Sequence, residues 1–238
     1  MAIELTWLGH GTWLIDTGEH KVLLDPFLDE NPLSPIKAEQ AEADYILISH
    51  GHFDHIADAA AVAKRTGAAT YCIFEIARWL TENHGVENVT GMNLGGSVDL
   101  PFGMVKLVQA KHSSMLPDGS YGGVPGAFLL KLSDGNIYLA CDTALFYDMK
   151  LISSPGIALA VLPIGDLFTM GPNDSLDAIR LIDPSYVVPD HYNTWPPIEQ
   201  DASAWADKVR KGTKAKPMVV EPGGKLVLDA GKVAVSTS

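Results

Sequence analysis

"YILISHGHFDHIAD", Tyr45 to Asp58, sets an apolar run directly against three histidines and an aspartate that fall within six residues. Histidine is otherwise sparse, at 8 in 238 residues. The run Asp44–Ser49 reads as a strand, and the histidines crowd the turn at its end. Within His50-Gly51-His52-Phe53-Asp54-His55, the i, i+2 pair His50 and His52 leaves the strand with both rings able to face one way. Asp54 and His55, on the turn into the next helix, reach a second point close by. Imidazole nitrogen and carboxylate oxygen are ligands that borderline metals accept. One short loop can therefore offer two ligands to each of two metals, and metals roughly 3.5–4 Å apart are a recurring hydrolytic arrangement. Gly51 permits the tight passage between ligands, and Phe53 is expected to pack inward as a structural pin.

Two ligands per metal are too few, so further ones are expected from other loops. His112, Asp142 and His191 qualify, because each follows a predicted strand: Phe102–Ala110, Asn136–Cys141 and Ser185–Pro189. His20, in a hairpin turn, and His84, at a helix end, read as solvated. His10 sits in the glycine-flanked loop Leu8-Gly9-His10-Gly11 at another strand end and is expected near the site. Cys141 beside Asp142 reads as core, since neighbours on a strand face opposite ways. Lys111 points away from the metals if its strand continues, and toward an anionic substrate if the loop has begun.

Around these residues the chain alternates strands and helices. An antiparallel meander opens it at Ile3–Leu8, Thr12–Asp16 and Lys21–Asp25. Helices are expected at Ala57–Arg65, ended by Gly67, and at Glu75–Asn83, ended by Gly85, with strand Ala69–Ile73 between them. Ala127–Leu132 and Asn136–Cys141 form a hairpin, and Ile157–Pro163 is a strand buried on both faces. Helix Asn173–Ile182 follows the capping sequence Pro172-Asn173-Asp174-Ser175. Helix Glu199–Arg210 and strands Pro217–Val220 and Lys225–Leu228 close the chain. The two halves share a rhythm of strands first and strand–helix alternation after. That predicts one α/β domain over residues 1–238, an αββα four-layer sandwich of two mixed β-sheets flanked by helices.

Composition narrows the function. The formal charge is −12, with 17 Lys+Arg against 29 Asp+Glu, which disfavours nucleic acid as a partner. The start lacks the basic and apolar regions of a signal peptide, and no apolar run is long enough to span a bilayer. Cys72 and Cys141 form no C-x-x-C pair, so a cytoplasmic protein without disulfides is expected. A small-molecule substrate is the expected partner, and a homo-oligomer is compatible with the sequence.

"SHGHFDH", followed in order by "KHSS", "CDTALF" and "PDHYNTWPPI", resembles the metallo-β-lactamase superfamily. "WLGHGTWLI", "LLDPFL" and "PIGDLFTMGPNDS" are similar to its small cytoplasmic metal-dependent hydrolases, kin to ascorbate-6-phosphate lactonases. The resemblance implies that His50, His52 and His112 hold one metal, that Asp54, His55 and His191 hold the other, and that Asp142 bridges them. Asp25 matches a buried aspartate that supports the histidine loop; a turn or capping aspartate is its other reading. His10 matches the family's glycine–histidine motif. Asp54, His10 and Asn193 are expected to take part in catalysis, with Thr194 a further polar wall residue. Loops His112–Pro125 and Gly165–Asn173 should frame a pocket walled by Met115, Tyr121, Phe168, Met170 and Trp195.

Such a pair of divalent ions, zinc first and manganese, nickel or iron as alternatives, implies a bridging hydroxide that attacks a small ester-like substrate. Several members of the superfamily fit poorly. There is no cysteine at a matching ligand position, no added helical domain after Ile198, no substrate-clamping arm, and His52 stands where flavodiiron proteins carry glutamate. A lactone is the favoured substrate. The "WLGH" opening, shared with N-acyl-phosphatidylethanolamine phospholipases, keeps phosphodiesters as the alternative. A non-catalytic metal-dependent binding or sensing protein is the remaining class.

Overall fold

In the computed structural model, which describes residues 2–236, the run Tyr45–Ile48 is a central strand paired in parallel on both sides. A strand flanked this way must be apolar on both faces, and Ile46, Leu47 and Ile48 are fully buried.

The first sheet begins with β1 (Ile3–Trp7), β2 (Trp13–Asp16), β3 (Lys21–Leu24), β4 (Tyr45–Ile48), β5 (Ala69–Ile73) and β6 (Val89–Met92). The second takes β7 (Ser97–Leu100), β8 (Gly103–Gln109), β9 (Gly126–Leu132), β10 (Gly135–Leu139), β11 (Leu159–Pro163), β12 (Tyr186–Asp190) and the short β13 (Lys216–Pro217). The chain then returns to the first sheet as β14 (Lys225–Asp229) and β15 (Lys232–Val235). Spatial order is β15-β14-β1-β2-β3-β4-β5-β6 in the first sheet and β13-β12-β11-β10-β9-β8-β7 in the second. Each sheet is mixed: an antiparallel meander on one side passes into parallel strands on the other.

Helices α1 (Phe53–Ile56), α2 (Ala59–Thr66) and α3 (Phe74–His84) follow the parallel strands of the first sheet. Helices α4 (Met149–Ile152), α5 (Pro172–Ile182) and α6 (Ala202–Gly212) belong to the second, with α6 packed on β13 and α5 between α4 and α6. The αββα sandwich is the observed architecture, and its buried residues form one continuous apolar cluster through both sheets. Among the described residues no helix is long and apolar enough to cross a membrane.

This pattern of directions positions the site. In the first sheet β1, β3 and β4 run the same way, because β2 reverses between β1 and β3 and β4 is parallel to β3. In the second, β8, β10, β11 and β12 likewise share a direction. Every strand end that carries a candidate ligand therefore falls on the same rim of its sheet. Two backbone bonds join the rims: Gly126 N–H donates to Ser49 O (2.9 Å), and His191 N–H donates to His10 O (3.1 Å).

Several expectations need correction. The helix expected over Ala57–Arg65 starts only at Ala59, after a turn in which the Asp58 carboxylate accepts the Leu28 and Asp29 amides (2.6 and 3.1 Å) and holds the loop after β3. Helix α5 has no side-chain cap; Pro172 opens it, and Ser175 Oγ donates back to Pro172 O (2.9 Å). The strand expected over Pro217–Val220 is only Lys216–Pro217. Edge strands β6, β7 and β15 and helix α4 were not anticipated, so three strands follow Ile198 rather than two.

Strand β14 packs β1 from the far side, setting Leu226 opposite Leu5, both fully buried. Leu226→Ala should lower the unfolding free energy by about 2–5 kcal/mol, read as a lower urea midpoint at constant slope. Val235→Ala, on the exposed end of β15, should stay within about 0.5 kcal/mol. Equal losses would contradict this placement of the core.

Candidate metal centre

Ser49 and His50 follow β4 directly, Asp25 follows β3, and His10 lies beyond β1. From the facing rim come His112 after β8, Asp142 after β10 and His191 after β12. Four of these turning points, His10, Asp25, Cys141 and His191, adopt positive φ (54°, 43°, 52° and 52°) although none is glycine. The left-handed region costs about 1–2 kcal/mol per residue, and here it swings the chain sharply off each strand so that side chains converge.

They converge as two clusters. His50 Nε2 and His112 Nε2 lie 3.0 and 3.2 Å from His52 Nδ1. His10, Asp54, His55 and His191 form the second group, with all ligand atoms within 4.8 Å of one another. Asp142 stands between them. Its Oδ2 is 3.4 Å from His112 Nε2 and 3.1 Å from His191 Nε2, and its Oδ1 is 3.3 Å from His55 Nε2. The seven candidate ligands are thus gathered in one place, with His50 and His52 of "HGHFDH" in one cluster and Asp54 and His55 in the other.

Asp25 lies behind the cluster rather than in it, since both of its oxygens are engaged. Oδ1 accepts the Ser49 amide (2.7 Å); Oδ2 accepts the Ser49 hydroxyl (2.5 Å) and His55 Nδ1–H (2.9 Å). Ser49 Oγ in turn accepts His50 Nδ1–H (2.9 Å). One carboxylate therefore fixes the tautomers of two histidines and leaves their Nε2 lone pairs facing the centre. Ser113 Oγ, 3.3 Å from His52 Nε2, does the same for His52 in reverse, freeing Nδ1. Neither serine was singled out, although each adjoins a ligand histidine in "SHGH" and "KHSS". Gly11 is needed for space: a Cβ there would lie 2.9 Å from His55 Cε1.

His10 is fully buried, with Nε2–H donating to Asp54 Oδ2 (3.0 Å) and Nδ1 accepting from Thr194 Oγ (2.7 Å). Burial, helped by neighbouring His191, lowers its pKa to about 3 and keeps it neutral. Asn193 is placed elsewhere. It is exposed, has φ +61°, and its side-chain oxygen accepts the Gln200 amide (2.7 Å) in a separate groove. The chain twists at His191 and again at Asn193, so Thr194 and not Asn193 turns inward.

The electrostatics call for positive charge at the centre. Burial would raise the pKa of Asp142, but His191 and His55 hold it well below the carboxylate range. Asp54 is likewise pushed up by burial and drawn below that range by His55 and His10. Burial alone would lower His55 and His191, yet Asp142 raises both. His50, mainly through burial, is held well below the ordinary histidine range. His55 Nε2 and His191 Nε2 face the Asp142 carboxylate at 3.3 and 3.1 Å, and the buried His191 Nδ1 has no hydrogen-bond partner. An unpartnered buried nitrogen costs about 1–3 kcal/mol, and three imidazole nitrogens crowd the first cluster as lone-pair acceptors with no donor among them. The imidazole–carboxylate donor set suits divalent zinc, manganese, nickel or iron, and cations at the clusters would relieve these defects.

Above the clusters opens a cavity of about 670 Å³ lined in part by Phe53, Met115, Phe168 and Trp195. Tyr121 and Met170, expected as walls, do not line it; Met170 is core and Tyr121 is exposed. Phe53 is a correction of the opposite kind. Asp54 and His55 must face inward from the first turn of α1, which leaves Phe53 half exposed at the mouth, 5.8 Å edge-on from Phe27. Lys111 also points away, its Nζ 5.7 Å over the Phe146 ring. Cys141 is buried as expected, but by the turn after β10, since the strand ends at Leu139. His20 and His84 are part-buried against Tyr45 and Trp79, far from freely solvated.

Removing Asp25 tests the support network. Asp25→Ala should cost about 1–3 kcal/mol for each donor left unpaired and weaken zinc binding about 10–100-fold, measured against a chelating dye. Unchanged zinc affinity would show that the histidines orient themselves.

A family model described as a beta-lactamase superfamily domain matches residues 20–192. A UPF0173 metal-dependent hydrolase of Thermus thermophilus is 46% identical over 228 residues, covering 95% of this chain and 100% of that protein. Another from Heliobacterium modesticaldum is 43% identical over 235 residues, covering 95% and 98%. Among solved structures, Igni18, a metallo hydrolase of the archaeon Ignicoccus hospitalis, superposes with a TM-score of 0.86 at 35% identity, covering 96% of this chain and 99% of that one. By this match over most of its length, the chain belongs to the UPF0173 family of metal-dependent hydrolases within the metallo-β-lactamase superfamily.

Proposed function

We propose that the protein is a dinuclear metal-dependent hydrolase of small ester-like substrates, a lactone foremost. The observation that carries this reading is Asp142, whose carboxylate reaches nitrogens of both histidine clusters from 3.1 to 3.9 Å at the floor of an open cavity. His50, His52 and His112 would hold one ion; Asp54, His55 and His191 the other; Asp142 would touch both. When bound, the ions supply water acidified to near-neutral pKa and a Lewis acid for the carbonyl or phosphoryl oxygen.

The remaining work falls to the chain. The net reaction adds water across the acyl carbon–oxygen bond: the acyl carbon gains an oxygen, and the leaving oxygen takes a proton, so a lactone opens to its hydroxy acid. Asp54, kept ionised, offers an acceptor at the cavity floor, and its free orientation is restricted by the His10 hydrogen bond. His10 is a positioning residue, held in turn by Thr194. Cys141 takes no part: burial raises its thiol well above the ordinary range, so a thiolate nucleophile is not supplied.

Zinc- or manganese-loaded protein should open simple lactones at a rate at least about 100-fold above a His50→Ala control. Turnover of phosphodiesters with lactones untouched would move the substrate to the alternative class. If neither panel is turned over above the control, the hydrolytic reading fails, and a metal-dependent binding protein takes its place. Chelation provides a second check: prolonged treatment should abolish turnover and lower the thermal midpoint, and re-adding zinc should restore both.

A further inference from the structure

The cavity has a charged floor and an uncharged wall. Among the described residues lining it, no lysine or arginine is present, and its carboxylates, Asp54 and Asp142, are both engaged by the histidines. Its upper part is Phe53, Met115, Leu116, Phe168 and Trp195. Phe53, Met115 and Phe168 are 50%, 58% and 54% exposed, an unusual outlay of apolar surface to leave facing water beside a polar site. The loop that supplies Met115 is braced rather than loose. Ser114 Oγ donates to Gly122 O (2.9 Å) and accepts the Gly51 amide (3.1 Å), and Trp79 Nε1–H donates to Asp118 (2.6 Å). The nearest lysine on that loop, Lys111, lines a different groove.

Resting on the hydrolase reading above, we propose that the substrate carries an uncharged apolar group, aliphatic or aromatic, seated against Phe53, Met115, Phe168 and Trp195. Its ester-type carbonyl then faces the histidine clusters. A second charged group on the substrate, carboxylate or phosphate, has no cation to meet in this wall, so its desolvation is uncompensated. An apolar tail gains about two- to fourfold in affinity for each methylene it buries. The volume, about 670 Å³, accommodates a chain of medium length or a pair of aromatic rings.

Straight-chain carboxylates serve as product-like probes, with the carboxylate at the metals and the tail in the cavity. Calorimetric titration of zinc-loaded protein should show octanoate binding at least tenfold tighter than butanoate, and octanedioate at least tenfold weaker than octanoate. Phe168→Ala, at a half-exposed position where folding is not at stake, should flatten the chain-length dependence. Tyr147→Ala, at an exposed aromatic outside the cavity, should leave octanoate binding unchanged. Octanedioate binding as tightly as octanoate, or no gain from butanoate to octanoate, would overturn the assignment. Hydrolysis of short lactones distinguishes the two levels. Turnover without chain-length preference sinks the apolar subsite alone, whereas chain-length-dependent binding without any turnover sinks the hydrolase reading alone.

Discussion

Asp25 accepts three hydrogen bonds in a setting with no access to water, from the Ser49 amide, the Ser49 hydroxyl and His55 Nδ1. Everything at the centre depends on this carboxylate. Burial raises its pKa, and the donors from His55 and Ser49 work against that rise. Because Ser49 also receives His50 Nδ1–H, one acceptor orients a ligand histidine in each cluster. Without it the two rings would be free to rotate their Nε2 atoms away from Asp142. The residue is fully buried, and it acts on the clusters only through Ser49 and His55.

The sandwich serves the same end at larger scale. Reversing one strand between β1 and β3, and another between β8 and β10, brings ligand-bearing strand ends to one rim of each sheet. The side chains still have to turn inward from there. Positive φ at His10, Asp25, Cys141 and His191 supplies that turn, at a conformational cost that the buried core offsets. Strain gathered at a rim, beside an unpartnered nitrogen and ionised carboxylates, is the expected mark of a site built for cations and chemistry rather than for stability.

How much of this can be read from the sequence varies with how local the cause is. The parallel strand Tyr45–Ile48 and the split of "HGHFDH" into two faces are local, so spacing alone exposes them. His112, Asp142 and His191 are legible because each follows a strand-like run. Asn193 misleads because adjacency to His191 says nothing about the left-handed twist that turns Thr194 inward in its place. Phe53 misleads because Asp54 and His55 beside it face the histidine clusters, which sends it outward. Strand β7, an edge strand alternating between exposed and half-buried residues, and β6, interrupted by Gly91 where it packs on Phe74, lack the continuous apolar signal of the interior strands. Ser49 and Ser113 escape notice because a serine's role lies wholly in what it contacts. The apolar cavity wall, too, comes from loops that only the fold brings together.

The proposed dinuclear site would place one ion on either side of the Asp142 carboxylate. Anomalous diffraction from zinc-soaked crystals, collected at the zinc edge, tests it most directly. Two peaks are expected roughly 3.5–4 Å apart, one among His50, His52 and His112 and one among Asp54, His55 and His191, with Asp142 between them. A single peak, or two peaks that Asp142 does not separate, would contradict it.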